Sequence, residues 1–304
     1  MTRRLISASI IFVFSLFFSF AQGNIEVTRM PERFFWKISG TDAEGKPSAV
    51  YIQGTIHVGT EEIYPLEDGV IEIFDSADRH VSEIASDEID KMYSMIQTEM
   101  LTSFSKADGK LVLDSLEEKE AEALNTLLGS EAVALLNRFE PWVLNAAIEG
   151  MVISSAGFDP LLGLDMWFYA RLASLGKKTT GLDTLRTQLD IVEYGTYEEQ
   201  VELLKDTLSQ IMDPEKTRAE LEELYNAYLS NDEERMVAAA QLENLKYSEI
   251  NEEFYNAYYE KMLTDRNKSW AEQIKQFLKE GGTTFIFAGT AHFTGEDSVF
   301  SCLK

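Results

Sequence analysis

The sequence predicts an α+β fold: a β-sheet built from N-terminal and C-terminal strands, with a large, mostly helical insertion between them. β-rich runs occur near the start of the chain and again near its end, whereas residues 87–280 have an almost wholly helical pattern. The 304 residues are 45% hydrophobic and 26% charged, which is typical of a globular protein with a full core. We therefore divide the chain into a signal segment, residues 1–23, and one domain, residues 24–304.

The chain is strongly acidic, with 52 Asp and Glu residues against 27 Lys and Arg residues and a formal net charge of -25. A charge of this size and sign repels phosphate backbones and anionic lipid surfaces. The composition therefore argues against a nucleic-acid partner. Most of the acidic excess lies in the helical part, where solvated helix faces explain it.

The first residues have the layout of a secretory signal peptide. Arg3 and Arg4 precede an apolar run interrupted only by serines, residues 5–20, and small residues follow it. This run is shorter than the ~20 residues that a membrane-spanning helix usually needs, which favours cleavage over a retained anchor. We expect an exported protein, periplasmic or secreted, with no stable membrane insertion after the signal is cleaved.

The N-terminal β part, residues 24–86, begins with a predicted hairpin. Its two β-rich runs, residues 33–38 and 48–53, flank a turn-forming cluster at residues 42–45. Apolar residues at a helical spacing then predict a helix over residues 66–77.

A third strand is predicted at residues 79–84. Because side chains alternate along a strand, Val81 and Glu83 share one face and His80 lies on the other. We expect this strand to pair near the second hairpin strand, which would place Glu83 at the sheet edge where that strand ends.

The helical part, residues 87–280, is followed by a return to β-type sequence. Within the helical part, Asp213 precedes a proline and predicts the start of a helix. In the C-terminal β part, residues 281–304, the apolar run at residues 283–288 is typical of a strand that is covered on both faces.

The strands at the two ends of the helical part both lead into the sequence Gly-Thr-x-His. The copies are residues 54–57 and 289–292, and each has a further glycine two or three positions after its histidine. Glycine at a strand end permits close backbone approach, and the histidine is displayed just beyond the strand. Because the copies use two of the chain's three histidines, we expect His57 and His292 to share one site.

Two neutral imidazoles suit a divalent transition metal, and one carboxylate would complete a set of three protein ligands. Glu83 is the best candidate for this carboxylate, and the alternative is an ordinary exposed acid at a strand end. His80 lies on the opposite strand face and lacks the Gly-Thr context, so we interpret it as a surface or second-layer histidine rather than a ligand.

Other catalytic templates are absent from the sequence. It contains no His-Glu-x-x-His, no Gly-x-Ser-x-Gly, no phosphate-binding loop and no Gly-x-Gly-x-x-Gly. The single cysteine, Cys302, lies almost at the end of the chain, so no intramolecular disulfide forms and a spare thiol is the better interpretation.

The paired Gly-x-x-His motifs, together with Glu83, resemble those of the TraB/GumN family, which includes the Tiki proteins. The resemblance extends over most of the chain after the signal segment. Two features depart from the family pattern: Asp183 stands where a glutamate is common, and the chain stops at Lys304 without the usual further helix and closing strand. The other matching segments are Pro141-Trp142, Gly163-Leu164-Asp165, Gly176-Lys177, Gly181-Leu182-Asp183-Thr184, Gln188 and Arg266-Asn267.

Tiki proteins are described as metal-dependent proteases that rely on the two Gly-x-x-His motifs and a glutamate. The resemblance therefore implies a metal-dependent hydrolase of peptides, with a divalent transition metal held by His57, Glu83 and His292. It also implies catalytic roles for Glu83, as a ligand or the general base, and for Arg266, which would hold a substrate carboxylate or the developing oxyanion.

Two other hypotheses remain open on the sequence. A non-catalytic protein would use the same cleft to capture a peptide or another small ligand without turnover. Alternatively, both histidines would be structural and donate hydrogen bonds to backbone carbonyl groups at the strand ends.

Overall fold

The structure is a computed structural model that describes residues 25–240 and 251–304. The expected signal peptide, residues 1–23, lies outside the described residues. Within the two described ranges, no helix combines the length and the apolar character needed to cross a membrane.

The described residues form one six-stranded sheet with the strand order β1-β2-β3-β6-β4-β5. Strands β1 to β3 are antiparallel, whereas β3, β6, β4 and β5 run parallel to one another. The strands are β1 (Glu26–Arg29), β2 (Phe35–Thr41), β3 (Pro47–Thr55), β4 (Arg79–Ile84), β5 (Thr180–Asp183) and β6 (Thr283–Gly289).

Helices fill the intervals between the strands. The α-helices are α1 (Asp68–Ser76), α2 (Ser86–Lys106), α3 (Glu118–Leu128), α4 (Ser130–Leu136), α5 (Pro141–Ser155), α6 (Leu164–Leu175), α7 (Leu185–Val192), α8 (Tyr197–Met212), α9 (Pro214–Leu229), α10 (Glu233–Ala240), α11 (Glu252–Tyr259), α12 (Asp265–Glu280) and α13 (Val299–Cys302). Short 3-10 turns cover Glu61–Ile63, Val112–Ser115, Pro160–Leu162 and Thr290–His292, and a π-helical turn, Glu260–Thr264, joins α11 to α12.

The predicted α+β fold is confirmed, because strands from both ends of the chain pair in this sheet. In the β3–β6 pair Thr55 lies opposite Gly289, and in the β4–β6 pair Ser82 lies opposite Phe287. Strand β6 therefore separates β4 from the hairpin. The parallel strands β3, β6 and β4 end at the same edge of the sheet, which brings the segments that follow them together.

Strand β5 was not expected, since it lies inside the part predicted to be helical. It has four residues, and only Leu182 among them is buried, so it carries little hydrophobic pattern. Gly181 permits the pairing with β4: a Cβ atom at this position would lie 2.8 Å from the Ala85 nitrogen. A short strand next to a close backbone contact is poorly marked in sequence.

The predicted N-terminal elements and helix boundaries are confirmed. The hairpin, the helix before β4, and β4 itself lie where the sequence places them. Asp213 caps α9, because its carboxylate accepts a hydrogen bond from the Lys216 nitrogen at 3.2 Å.

The core lies on both faces of the sheet. On one face, Phe74 of α1 and Phe168 of α6 pack against Phe285 and Phe287 of β6. On the other face α12 packs against β2 and β3. Strand β6 is buried on both sides from its second residue onward, as its apolar run predicts. Because α12 packs on β2 and β3, it lies beside the sheet edge at which β6 ends.

Candidate functional site

Three sequence-predicted residues meet where the parallel strands end. His57 follows β3, Glu83 lies near the end of β4, and His292 follows β6. His57 Nε2 lies 3.9 Å from Glu83 Oε1. Both imidazoles interact electrostatically with the Glu83 carboxylate, so one carboxyl group lies within the influence of both rings. The structure thus brings the two motifs and the glutamate to one place.

Gly289 allows this approach because it has no side chain. A Cβ atom at this position would lie 3.2 Å from Glu83 Oε1 and 3.3 Å from His57 Nε2, closer than most Cβ contacts. The Gly289 amide also donates a hydrogen bond to Glu83 Oε1 at 2.8 Å. The first residue of the second motif is therefore part of the site.

His57 lies at the surface of the site, with 66% of its side chain exposed. Its Nδ1 donates a hydrogen bond to Asp165 Oδ2 at 2.8 Å, and Asp165 Oδ1 accepts a hydrogen bond from Thr55 Oγ1 at 2.6 Å. The negative charge of Asp165 is the main reason that the pKa of His57 rises to about 9, and Glu83 adds to it. Without a metal, His57 is cationic at neutral pH.

His292 is buried, with 6% of the residue exposed. Its ring lies against the Trp270 indole, with centroids 4.2 Å apart, and its Nδ1 is 2.6 Å from Asn267 Oδ1. Burial lowers the pKa of His292 to about 3 because it disfavours the charged form. The two histidines therefore differ in charge at neutral pH.

Glu83 is held by protein groups on both carboxylate oxygens. Oε1 accepts from the Gly289 amide, and Oε2 accepts from Arg266 Nη2 at 2.5 Å. Burial acts to raise the pKa of Glu83, but His292, His57 and Arg266 together outweigh it and lower the pKa to about 2. Glu83 is therefore ionised at neutral pH.

Arg266 joins the carboxylates of Glu83 and Asp183, which are only partly accessible to solvent. It is 8% exposed, and its Nε donates to Asp183 Oδ2 at 2.7 Å, while Nη1 donates to the Met262 carbonyl at 2.9 Å. All three nitrogens of the guanidinium group thus have partners within the protein. The role of Arg266 as a clamp for substrate or oxyanion stays a prediction.

His80 lies outside this site. It is buried, its Nε2 donates to the Phe74 carbonyl at 2.7 Å, and its ring meets the Phe74 ring edge-on with centroids 4.7 Å apart. The sequence interpretation as a surface or second-layer histidine missed this packing, because His80 lies on a strand face covered by α1.

Comparison with known proteins places the chain in a family. A model of the TraB/PrgY/gumN family matches residues 34–304, which include the whole site. The chain belongs to the TraB/PrgY/gumN family. An uncharacterized protein of Treponema pallidum (strain Nichols) is 31% identical over 275 residues, which are 90% of this chain and 80% of that protein. No solved structure matches the chain.

Several residues that shape the site of this TraB/PrgY/gumN family protein were given no role from the sequence. Asp165 and Asn267 hold the two imidazoles, and Asp183 accepts hydrogen bonds from Arg266 and from Trp270 Nε1 at 2.9 Å. These residues lie on other helices and strands, outside the two motifs. The available signal was the spacing on α12, where a polar pair is followed three positions later by a tryptophan.

The residues of this family member fit a divalent transition metal in donor type. Each site histidine has its Nδ1 engaged by a side-chain oxygen, so Nε2 is the ring atom left to bind a metal, and such partners commonly orient metal-binding histidines. Cationic His57 would have to release its Nε2 proton to the solvent first. Among the described residues, however, no three His, Cys, Asp or Glu side chains form a ready-made metal site. Metal binding would therefore require the Glu83 side chain and the imidazoles to adjust.

A cleft of about 440 Å³ lies beside the loop that carries His57 in this family member. The Glu61–Ile63 turn, the end of α5 and helix α9 contribute its walls. Tyr225 ties the cleft to the loop, since its hydroxyl accepts a hydrogen bond from the Thr60 amide at 3.1 Å. Thr60, which lines the cleft, thus belongs to the same loop as His57.

Proposed function

We propose that this TraB/PrgY/gumN family protein is a metal-dependent hydrolase that acts on peptides. His57, Glu83 and His292 would hold a divalent transition metal. The observation that carries the proposal is the convergence of two imidazoles, each held at Nδ1 by another side chain, on one ionised carboxylate whose side chain is only 13% exposed. Two histidines with oriented rings, together with a carboxylate, match the ligand set of many catalytic metal sites.

A bound metal would polarise a substrate carbonyl and lower the pKa of a bound water toward ~7. The protein groups supply the rest of the chemistry. Glu83 is ionised and can serve as a ligand or accept a proton from the attacking water. Arg266 compensates the charge of Glu83 and so keeps this partly buried carboxylate ionised.

Access from solvent supports a substrate of peptide size. The imidazole of His57 is 66% exposed, and the neighbouring 3-10 turn presents Leu161 as a largely exposed apolar side chain. The cleft beside Thr60 offers further room for an extended chain. The signal-like segment supports action on periplasmic or extracellular peptides.

A second candidate function is capture of a peptide or another small ligand without turnover. The hydrogen bonding of Glu83 favours it: each carboxylate oxygen already accepts a hydrogen bond from the protein, so the charged group is stabilised without a metal. In that case His57 and the cleft would be the ligand-contacting surface.

The test is digestion of a peptide library by the purified protein, with and without a chelator. The hydrolase proposal predicts cleavage that the chelator stops and added metal restores. It also predicts that His57→Ala, an exposed position whose loss should leave the fold intact, stops cleavage. Peptides that are retained by the wild-type protein but never cleaved, whatever the metal supplied, would reject the hydrolase and support the binding protein.

A further inference from the structure

Asn267 of α12 is completely buried and makes two hydrogen bonds of opposite kind. Its Nδ2 donates to the Asp297 carbonyl at 2.7 Å, and its Oδ1 faces His292 Nδ1 at 2.6 Å. A backbone carbonyl can only accept a hydrogen bond, so the amide nitrogen must be the atom that faces Asp297. This contact fixes which way the side-chain amide of Asn267 points.

The orientation of Asn267 determines where His292 carries its proton. Oδ1 of an amide only accepts, so His292 Nδ1 must be the N–H donor. In a neutral imidazole the other nitrogen is then unprotonated and keeps its lone pair. Trp270 lies against the ring with centroids 4.2 Å apart, which restricts rotation away from Asn267.

We propose that Asn267 is a positioning residue that holds His292 in the tautomer protonated at Nδ1, so that Nε2 presents its lone pair for coordination. The hydrogen bonds place a proton on Nδ1, and the burial of the ring favours its neutral form. Its use in coordination rests on the proposed metal-dependent function. Asp165 holds His57 by the same ring atom, so the two motif histidines share one arrangement with different partners.

His80 provides a reference of the opposite kind within the same chain. Its Nε2 donates to the Phe74 carbonyl at 2.7 Å, so neutral His80 must carry its proton on Nε2. The chain has three histidines, and the structure assigns opposite tautomers to the two buried ones. A single spectrum can therefore report the tautomer of His292 and, as an internal control, that of His80.

The experiment is a long-range ¹H–¹⁵N correlation spectrum of the ¹⁵N-labelled, chelator-treated protein at neutral pH. Contacts between ring protons identify His292 through Trp270 and His80 through Phe74. We expect the Nδ1–H pattern for His292 and the Nε2–H pattern for His80. An Nε2–H pattern for His292 would overturn the proposal. The measurement uses wild-type protein, so it does not depend on whether a variant folds.

A variant pair tests the positioning role. Asn267→Leu removes both hydrogen bonds at similar volume, and we expect loss of the single tautomer and a ~10–100-fold weaker affinity for Zn²⁺. Gln273→Leu is the control, because Gln273 lies on the same helix and donates to the Leu182 carbonyl without touching either imidazole. Unchanged tautomer and affinity in a folded Asn267→Leu protein would overturn the proposal.

The outcomes also separate this proposal from the proposed function. If wild-type protein shows the Nδ1–H pattern but binds no Zn²⁺, the hydrogen-bonding role of Asn267 is supported and the metal assignment is contradicted. If wild-type protein binds Zn²⁺ while His292 shows the Nε2–H pattern before metal is added, the metal assignment stands and the role of Asn267 is rejected.

Discussion

Thr290 Oγ1 donates a hydrogen bond to the Thr55 carbonyl at 2.9 Å, so the second residues of the two Gly-Thr-x-His motifs are in direct contact. Both threonines are buried, and Thr55 lies opposite Gly289 in the parallel pair of β3 and β6. The motifs are therefore not only similar in sequence. They hold each other in register at the edge where the site is built.

Gly54→Ala should loosen this contact. A Cβ atom at Gly54 would lie 2.7 Å from Thr290 Oγ1 and 3.1 Å from the Trp36 ring, so the added methyl group forces the buried neighbours apart. We expect a loss of ~1–3 kcal/mol in the free energy of unfolding, as is typical for overpacking. Denaturant titration measures it.

Gly150→Ala is the matched control. Gly150 lies inside α5, and apart from its chain neighbours and the adjacent backbone of its own helix nothing lies within 4 Å of the position that a Cβ would take. Alanine should leave the free energy of unfolding unchanged or raise it by ~0.5–1 kcal/mol, because it favours the helix. Equal effects of the two substitutions would contradict the contact between the motifs.

Arg266→Met should strongly destabilise the protein. The substitution leaves the carboxylates of Glu83 and Asp183, whose side chains are 13% and 5% exposed, without their cation. Breaking a buried ion pair from one side costs ~3–5 kcal/mol. Arg235→Met is the control, since Arg235 forms an exposed pair with Glu223 and solvent screening makes its loss far less costly. Comparable losses of unfolding free energy in both variants would show that Arg266 does not stabilise the site.

The depressed pKa of Glu83 predicts a pH dependence of stability in metal-free protein. A carboxyl group whose pKa is lower in the folded than in the unfolded state stabilises the fold at pH values above its unfolded-state pKa. This contribution disappears as the pH falls through the folded-state pKa. The pKa of Glu83 is lowered from 4.5 to about 2, so the loss falls between these values and is on the order of 3 kcal/mol at most.

Urea titrations between pH 5 and pH 2 measure this dependence. The free energy of unfolding of wild-type protein should fall more steeply with decreasing pH than that of Glu83→Gln, which has no carboxyl group at this position. Parallel curves for the two proteins would mean that Glu83 is not ionised in the fold.

Export predicts that the mature protein lacks its first ~21–23 residues, because the charged start, apolar run and small residues match the layout of a signal peptide. N-terminal sequencing and intact mass of the protein from its native source measure the start. Retention of Met1 or Arg3 would contradict export by cleavage.

The strand-to-motif pattern was readable because its causes are local. A β-rich run followed by Gly-Thr-x-His defines both a strand and the side chain displayed at its end, so the sequence predicts that strands from both ends of the chain join one sheet. The structure confirms the shared sheet and shows that β3 and β6 are parallel neighbours within it. It places His57 Nε2 3.9 Å from Glu83 Oε1, and His292 interacts electrostatically with the same carboxylate.

The residues that hold the two imidazoles could not be predicted, because their contacts depend on long-range packing rather than on local sequence. Asp165 and Asn267 lie on helices in the insertion, and a helical pattern shows which face is apolar but not which distant side chain a polar residue will meet. The position of β4 beyond β6 has the same cause, since strand order depends on how the insertion folds back. Long-range packing determines both.

The most direct test of the metal site is the amount of divalent metal retained per chain after dialysis against Zn²⁺, Co²⁺ or Mn²⁺. Wild-type protein should retain one of these ions, while His57→Ala and His292→Ala should each lose most of the binding, because one of three protein ligands is gone. Folded His80→Ala protein should retain the ion, although the loss of a buried side chain lowers its stability. Equal retention by wild-type, His57→Ala and His292→Ala proteins, or none in wild-type protein, would contradict the metal site.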